Sequence, residues 1–161
     1  MWATVIGGAI VAVVLGGYVS HTRNDVAAWN RAGMIQLREL DALRAAGRPP
    51  PRTTIYTFGG VGSVASGVVG FIVTWDLDSA VKILWHDSTL DGFPIFAGAH
   101  IACGKGTVTP FAPDNDEGPE QGASYGHAVF YDFRTGRRQT ITSPQACARA
   151  VASFPTGPEQ G

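Results

Sequence analysis

The sequence predicts a mainly β (α+β) protein: a small antiparallel sheet or sandwich with a short C-terminal helix, carried behind a transmembrane helix and an amphipathic stalk helix. Three observations predict it. No charge occurs from Trp2 to Val19 in an apolar opening run. A helical period then continues to Ala46 and is broken by Gly47 and three prolines. From Thr53 the pattern changes to β-branched runs separated by Gly, Pro, Asp and Ser, with one helical stretch near the end. The expected divisions are 1–20 as anchor, 21–52 as amphipathic helix and Pro-rich linker, 53–154 as globular domain and 155–161 as a disordered tail.

The opening run, WATVIGGAIVAVVLGGYV, reaches roughly 27 Å as a helix, close to the ~30 Å hydrocarbon core of a bilayer. A helix apolar on every face does not suit a protein surface in water. Trp2 and Tyr18 stand at its ends, where amphipathic rings favour the membrane boundary. A cleaved signal peptide fits less well. No basic residue precedes the run, and Tyr18-Val19-Ser20 puts a bulky ring where a cleavage site needs a small residue. Gly8, Ala12 and Gly16 recur every four residues and share one face, a surface on which two such helices approach closely.

The stalk helix is expected over Asn24–Ala46, with Asn24 or Asp25 accepting from the free N–H groups of its first turn. Val26, Trp29, Gly33, Leu37 and Leu40 fall in one stripe, with Leu43 at its edge, and Arg31, Arg38 and Glu39 point away. That stripe predicts packing on the domain that follows, or else a short coiled coil. Gly47 ends the helix, and Arg48-Pro49-Pro50-Pro51-Arg52 favours an extended, stiff linker.

Strands are predicted at Thr53–Phe58, Val68–Trp75, Ala80–Trp85, Phe93–Phe96, Ala99–Cys103, His127–Phe133 and Arg138–Thr142. Asp76-Leu77-Asp78-Ser79 reads as a hairpin turn, as does Arg134-Thr135-Gly136-Arg137, where Gly136 can take a positive φ. Ser143-Pro144 then starts a helix to Ser153, a capping hydroxyl followed by proline at the first helical position. Asp114–Gly122 is a solvated loop.

Charged residues make up 16% of the chain, below the roughly 25% of ordinary soluble proteins. The formal net charge of -1 excludes the strong basic field of a dedicated nucleic-acid binder. Of the two cysteines, Cys103 ends an apolar strand and Cys147 lies in the C-terminal helix. A Cys103–Cys147 disulfide would join strand to helix, and it fits an oxidising, extracytoplasmic compartment. Arg23, Arg31 and Arg38 pull the other way, since basic residues after a membrane helix tend to stay in the cytoplasm. The cysteines are given the greater weight, and the C-terminal domain is expected outside.

Several stretches invite a chemical reading. Gly60-Val61-Gly62-Ser63-Val64-Ala65 matches the dinucleotide pattern, but the residues that follow favour a strand over the helix a pyrophosphate needs. Gly126-His127-Ala128-Val129-Phe130-Tyr131 resembles the His-bearing strand of the NlpC and CHAP cysteine peptidases, which cleave cell-wall peptides. The resemblance implies Cys103 as nucleophile and His127 as its general base. Those enzymes place the cysteine at a helix start, where the dipole lowers its pKa, whereas Gly104-Lys105-Gly106-Thr107-Val108 predicts a turn and strand. His86, His100 and His127 carry no metal-ligand spacing. Asp114-Asn115-Asp116-Glu117-Gly118 departs from the calcium-loop pattern, having Gly fifth and Tyr125 twelfth.

The function these features support is a single-pass envelope protein whose β-rich domain serves protein–protein contact without catalysis. Its expected partners are membrane lipid and either itself or other envelope proteins; no nucleic acid, cofactor or metal is expected. The alternatives are a Cys103/His127 peptidase and a small-molecule-binding β module lined by Trp75, Trp85, Phe93 and Phe96.

Overall fold

The computed structural model describes residues 2–65, 68–69, 74–96, 98–111 and 122–154, with side chains from residue 13 onward except at 65, 69, 74 and 75. The expected acidic loop and C-terminal tail lie outside these residues, apart from Gly122. The chain forms a long N-terminal helix, then a small mixed α+β region and a short C-terminal helix.

Helix α1 runs unbroken over Trp2–Ala45, 44 residues and so about 66 Å. The expected helix start at Asn24 or Asp25 is therefore corrected: with neither Pro nor Gly from Ser20 to Asp25, nothing interrupts the backbone ladder. It ends as expected, with Gly47 at φ +87° donating its N–H to Arg44 O at 3.1 Å. Among the described residues no helix is long and apolar enough to cross a membrane. The side chains of Trp2–Ala12, most of the expected span, lie outside the described set.

The packing face of α1 is also corrected. Ala32, Glu39 and Leu43 are buried, with Ala42 and Ala46 packed beside them. The stripe expected to pack leaves Val26, Trp29 and Leu37 largely exposed. The two faces lie about a third of a turn apart at 100° per residue. The domain takes the one with small residues, which allow a close approach.

Strands β1 (Thr54–Phe58), β2 (Ser63–Ala65) and β3 (Val68–Val69) follow, then helix α2 (Thr74–Trp85) and β4 (Asp91–Pro94). Here the strand expected at Ala80–Trp85 and the turn at Asp76–Ser79 are overturned, because both lie within α2. Of the strand expected at Val68–Trp75, Val68–Val69 is strand and Thr74 and Trp75 belong to α2, while residues 70–73 lie outside the described residues. Leu77 and Val81, one turn apart, are both fully buried, and Lys82 Nζ lies 2.7 Å from Asp78 Oδ2 across the next turn. Helical i,i+4 neighbours can meet in this way, whereas in a strand those residues are far apart. Gly92 is required where α2 docks on β4: a Cβ there would stand 2.8 Å from the Leu77 carbonyl oxygen.

Next come β5 (His100–Cys103), β6 (Thr107–Phe111), β7 (Ala123–Ser124), β8 (Ala128–Asp132), β9 (Arg137–Ile141) and helix α3 (Pro144–Ser153). The main sheet has the order β4-β1-β8-β9. Its first three strands are parallel, and only β9 runs antiparallel, against β8. The expected all-antiparallel sheet is thus corrected to a mixed one, since α2 makes the crossover that parallel strands require. The strands β5-β6-β7 form a second, antiparallel sheet. The β8–β9 hairpin turns as expected, with Gly136 at φ +68°.

The central strands β1 and β8 of the main sheet are buried on both faces. Ile55 and Tyr131 meet Leu43, Leu77, Val81 and Leu90 on the side of α1 and α2. Tyr56, Phe58, Phe93 and Phe130 meet Ile101, Val108, Cys147 and Phe154 on the side of the second sheet and α3. The buried Tyr56 hydroxyl joins the two sheets, donating to Val108 O at 3.0 Å and accepting from Ala123 N at 3.3 Å.

The expected cap of α3 is present: Ser143 Oγ accepts from Ala146 N at 3.1 Å, and Pro144 occupies the first turn. Ser143→Ala should lower stability by about 1 kcal/mol, the usual worth of such a cap. Urea denaturation measures it, and an unchanged midpoint would show that the cap contributes nothing.

Candidate functional site

The in-register parallel strands bring their N-terminal ends to one edge of the main sheet. Thr54 of β1 is paired with Asp91 of β4 on one side and with Ala128 of β8 on the other. Arg52, Asp91 and His127 therefore gather beside Asp78 of α2 and Ser124 of β7, around a cleft of about 430 Å³. A cleft of that size suits a small ligand, for which roughly 300–1,000 Å³ is usual.

Its walls carry both signs of charge. On the acidic wall Lys82 Nζ lies 2.7 Å from Asp78 and 3.4 Å from Asp91. The hydrogen bond to Asp78 is the main reason the ammonium is held above its ordinary pKa. Asp78 Oδ1 also accepts from Gly92 N at 3.4 Å, which ties the helix to the start of β4. One ammonium thus offsets part of the charge of the two carboxylates on this wall. On the basic wall His127 is exposed; its carbonyl accepts from Thr54 N and its own N–H donates to Ser124 O.

Arg52 is held in the left-handed region at φ +61°, uncommon for a residue with a side chain. A relay of short bonds fixes it there. Its N–H donates to Thr89 Oγ1 at 3.0 Å, and Thr89 donates in turn to Asp87 Oδ1 at 2.7 Å. Asp87 also pairs with Arg48 at 2.8 Å. Bonds from the Thr89 hydroxyl and N–H, and then from Arg48, hold the Asp87 carboxyl down at about 2. The linker expected to be extended is therefore a turn at residues 51–52, anchored at both ends to the α2–β4 connection.

The residues singled out from sequence are scattered. Cys103 and Cys147 are joined, with their Cα atoms 5.8 Å apart, and there are no free cysteines among the described residues. Cys103 packs against the main core and does not line the cleft that His127 lines. His100 stacks on Phe111 with ring centroids 4.8 Å apart, and His86 sits at the end of α2 at φ +51°. Among the described residues no three His, Cys, Asp or Glu side chains come together as a metal site. Phe93 and Phe96 belong to the main core and Trp85 to the other, so they do not share a pocket wall. The Trp75 and Ala12 side chains lie outside the described residues, as do the surroundings of Gly8. Gly16 has no atom within 4 Å of where a Cβ would stand.

The dinucleotide-like glycines lead into β2 at Ser63, so a strand and not a helix begins there. Sequence reasoning missed the Asp78, Lys82 and Asp91 cluster because it read α2 as strands. The i,i+4 spacing of Asp78 and Lys82 was the available signal. Comparison with protein-family models, with curated proteins and with solved structures finds no match to this chain.

Proposed function

We propose that this protein is a single-pass membrane protein whose mixed α+β domain is displayed outside the cytoplasm to bind other envelope proteins, without catalysis of its own. The observation that carries the reading is the bare apolar part of α1. Val13, Val14, Leu15 and Tyr18 are between 57 and 74% exposed, and no atom stands near a Cβ position on Gly16 or Gly17. Such a helix in water would leave apolar surface unburied on all sides, at roughly 25 cal/mol for each Å². Lipid is the solvent that removes this cost, and the uncharged run from Trp2 to Val19 has the composition for it. The Cys103–Cys147 pair supports the outer compartment.

Cell fractionation tests the reading. Full-length chain is expected in the membrane fraction, resistant to a carbonate wash and released by detergent, while a variant lacking residues 2–19 is expected in the soluble fraction. A reporter fused after Gly161 should be active only outside the cytoplasm. Full-length chain that stays monomeric in buffer without detergent would overturn the proposal. So would free alkylation of Cys103 with a peptide-cleaving activity lost in Cys103→Ser, which would favour a cysteine peptidase.

A further inference from the structure

The carboxyl ends of β1 and β8 meet α1 at one side chain. Glu39 is 6% exposed, among the least accessible charged residues in the described chain. Its Oε1 accepts the N–H of Val61 at 3.1 Å, in the glycine-rich loop that leaves β1. Its Oε2 is buried and meets no protein donor. The loop is shaped around this carboxyl: a Cβ on Gly60 would stand 3.4 Å from both Glu39 Oε1 and the Phe133 ring. Gly59, at φ +68°, has no room for a Cβ against Arg134 and Asp132.

We infer that Glu39 is the latch of a proton-sensitive clasp between α1 and the Gly59–Gly62 loop, closed when its carboxyl is neutral and opened when it ionises. The groups around it determine the direction. On α1 itself Arg38 lines the neighbouring cleft, its side chain exposed. From the end of β8 and its turn come Asp132 and Arg134. Arg134 Nε lies 3.6 Å from Asp132 Oδ1, and Asp132 also accepts from Arg134 N and the Thr135 hydroxyl. That guanidinium is therefore directed at Asp132, and among the described residues no ion pair reaches Glu39. The glycine loop, β2 and β3 contribute no ionisable side chain.

An ionised Glu39 would thus be a buried charge with one donor and no counter-ion, the arrangement that burial penalises most. Desolvation accordingly pushes its carboxyl up to about 7, against the smaller downward pull of the Val61 N–H. The cleft beside it, about 230 Å³ between α1 and the strand ends, is open to solvent. Ionisation is relieved by letting the loop part from α1, so that water reaches both carboxylate oxygens. Opening would loosen the joint between the helix and the domain it carries. The inference rests on the fold alone and is independent of membrane attachment.

Hydrogen exchange on the full chain in detergent tests it, followed from pH 5.5 to 8.5 and corrected for intrinsic rates. Protection of the Val61 amide, the donor to Glu39 Oε1, is expected to fall about tenfold or more as pH rises through 7, while Glu39→Gln stays protected throughout. In the unmutated protein the Glu39 carboxyl carbon, followed by NMR, should titrate over the same range as the loop opens. A pH-independent wild-type profile overturns the clasp, as does an E39Q protein that opens over the wild-type range. If E39Q does not fold, the NMR midpoint decides: a value in the ordinary carboxylate range overturns it.

Discussion

Replacing both Cys103 and Cys147 by alanine is expected to lower the unfolding free energy by about 3–4 kcal/mol. The bond closes a loop of sequence separation 44, and by chain-entropy arithmetic a loop that long restricts the unfolded chain by about that amount. Against the 5–15 kcal/mol of a typical domain, this is a large share of the total. The loop contains β6, β7, β8 and β9, so the bond ties the second sheet to α3 across most of the domain. Alanine is the better replacement, because Cys147 is fully buried and a serine hydroxyl there would add a desolvation term of its own. Urea denaturation of the double variant, and of the parent with and without reductant, measures the effect. Equal midpoints for oxidised and reduced parent would show that the bond does not hold the fold. Two free thiols by intact mass would remove the premise.

How much of this fold the sequence revealed depended on whether local chemistry and tertiary packing agreed. At Ser143 they agreed. The hydroxyl, the following proline and the run to Ser153 mark a helix with no help from the rest of the chain, and α3 has those bounds. At Thr74–Trp85 they did not. Trp75, Leu77, Val81, Ile83 and Trp85 sit at odd positions, which imitates a strand, while the fully buried pair Leu77 and Val81 is spaced by four. Exposed Ile83 was the misleading residue. Missing α2 hid the β1–α2–β4 crossover, and with it the parallel pairing that brings Asp91 and His127 to one edge.

On α1 the failure has a different cause. Hydrophobicity alone ranks the Val26, Trp29, Leu37 face above the Ala32, Glu39, Leu43 face, yet the domain packs on the second. Small side chains let that face come close to β2, β3 and α2, and a carboxyl is tolerated there because Val61 N–H meets it. Sequence reasoning had Glu39 pointing away from the apolar stripe. The direction was right, but that side faces the domain and not water. The Arg52 turn was hidden for a similar reason, since its left-handed backbone depends on Thr89 and Asp87 from a distant part of the chain.

Glu39 also makes a definite claim about stability and pH. Its carboxyl titrates near 4.5 when exposed and near 7 in the folded protein. Below about 4.5 the group is neutral in both states and the full stability is present. Between 4.5 and 7 only the unfolded chain gains by ionising, so stability falls as pH rises; above 7 both states are ionised and the loss levels off. At 1.36 kcal/mol for each unit of pKa difference, the loss is on the order of 3 kcal/mol. Asp87 acts in a separate window with the opposite sign. Its lowered carboxyl adds stability that is present above 3.8 and is lost as pH falls towards about 2. The raised values of Lys82 and Tyr131 keep those groups out of both windows. Subtracting the E39Q profile of unfolding free energy from that of the parent should therefore leave a single step between pH 4.5 and 7. The parent is the more strongly weakened protein at the upper end. A difference curve flat across that interval, or one that rises with pH, would mean that the carboxyl is ionised in place and that the helix and the loop are held together by something else.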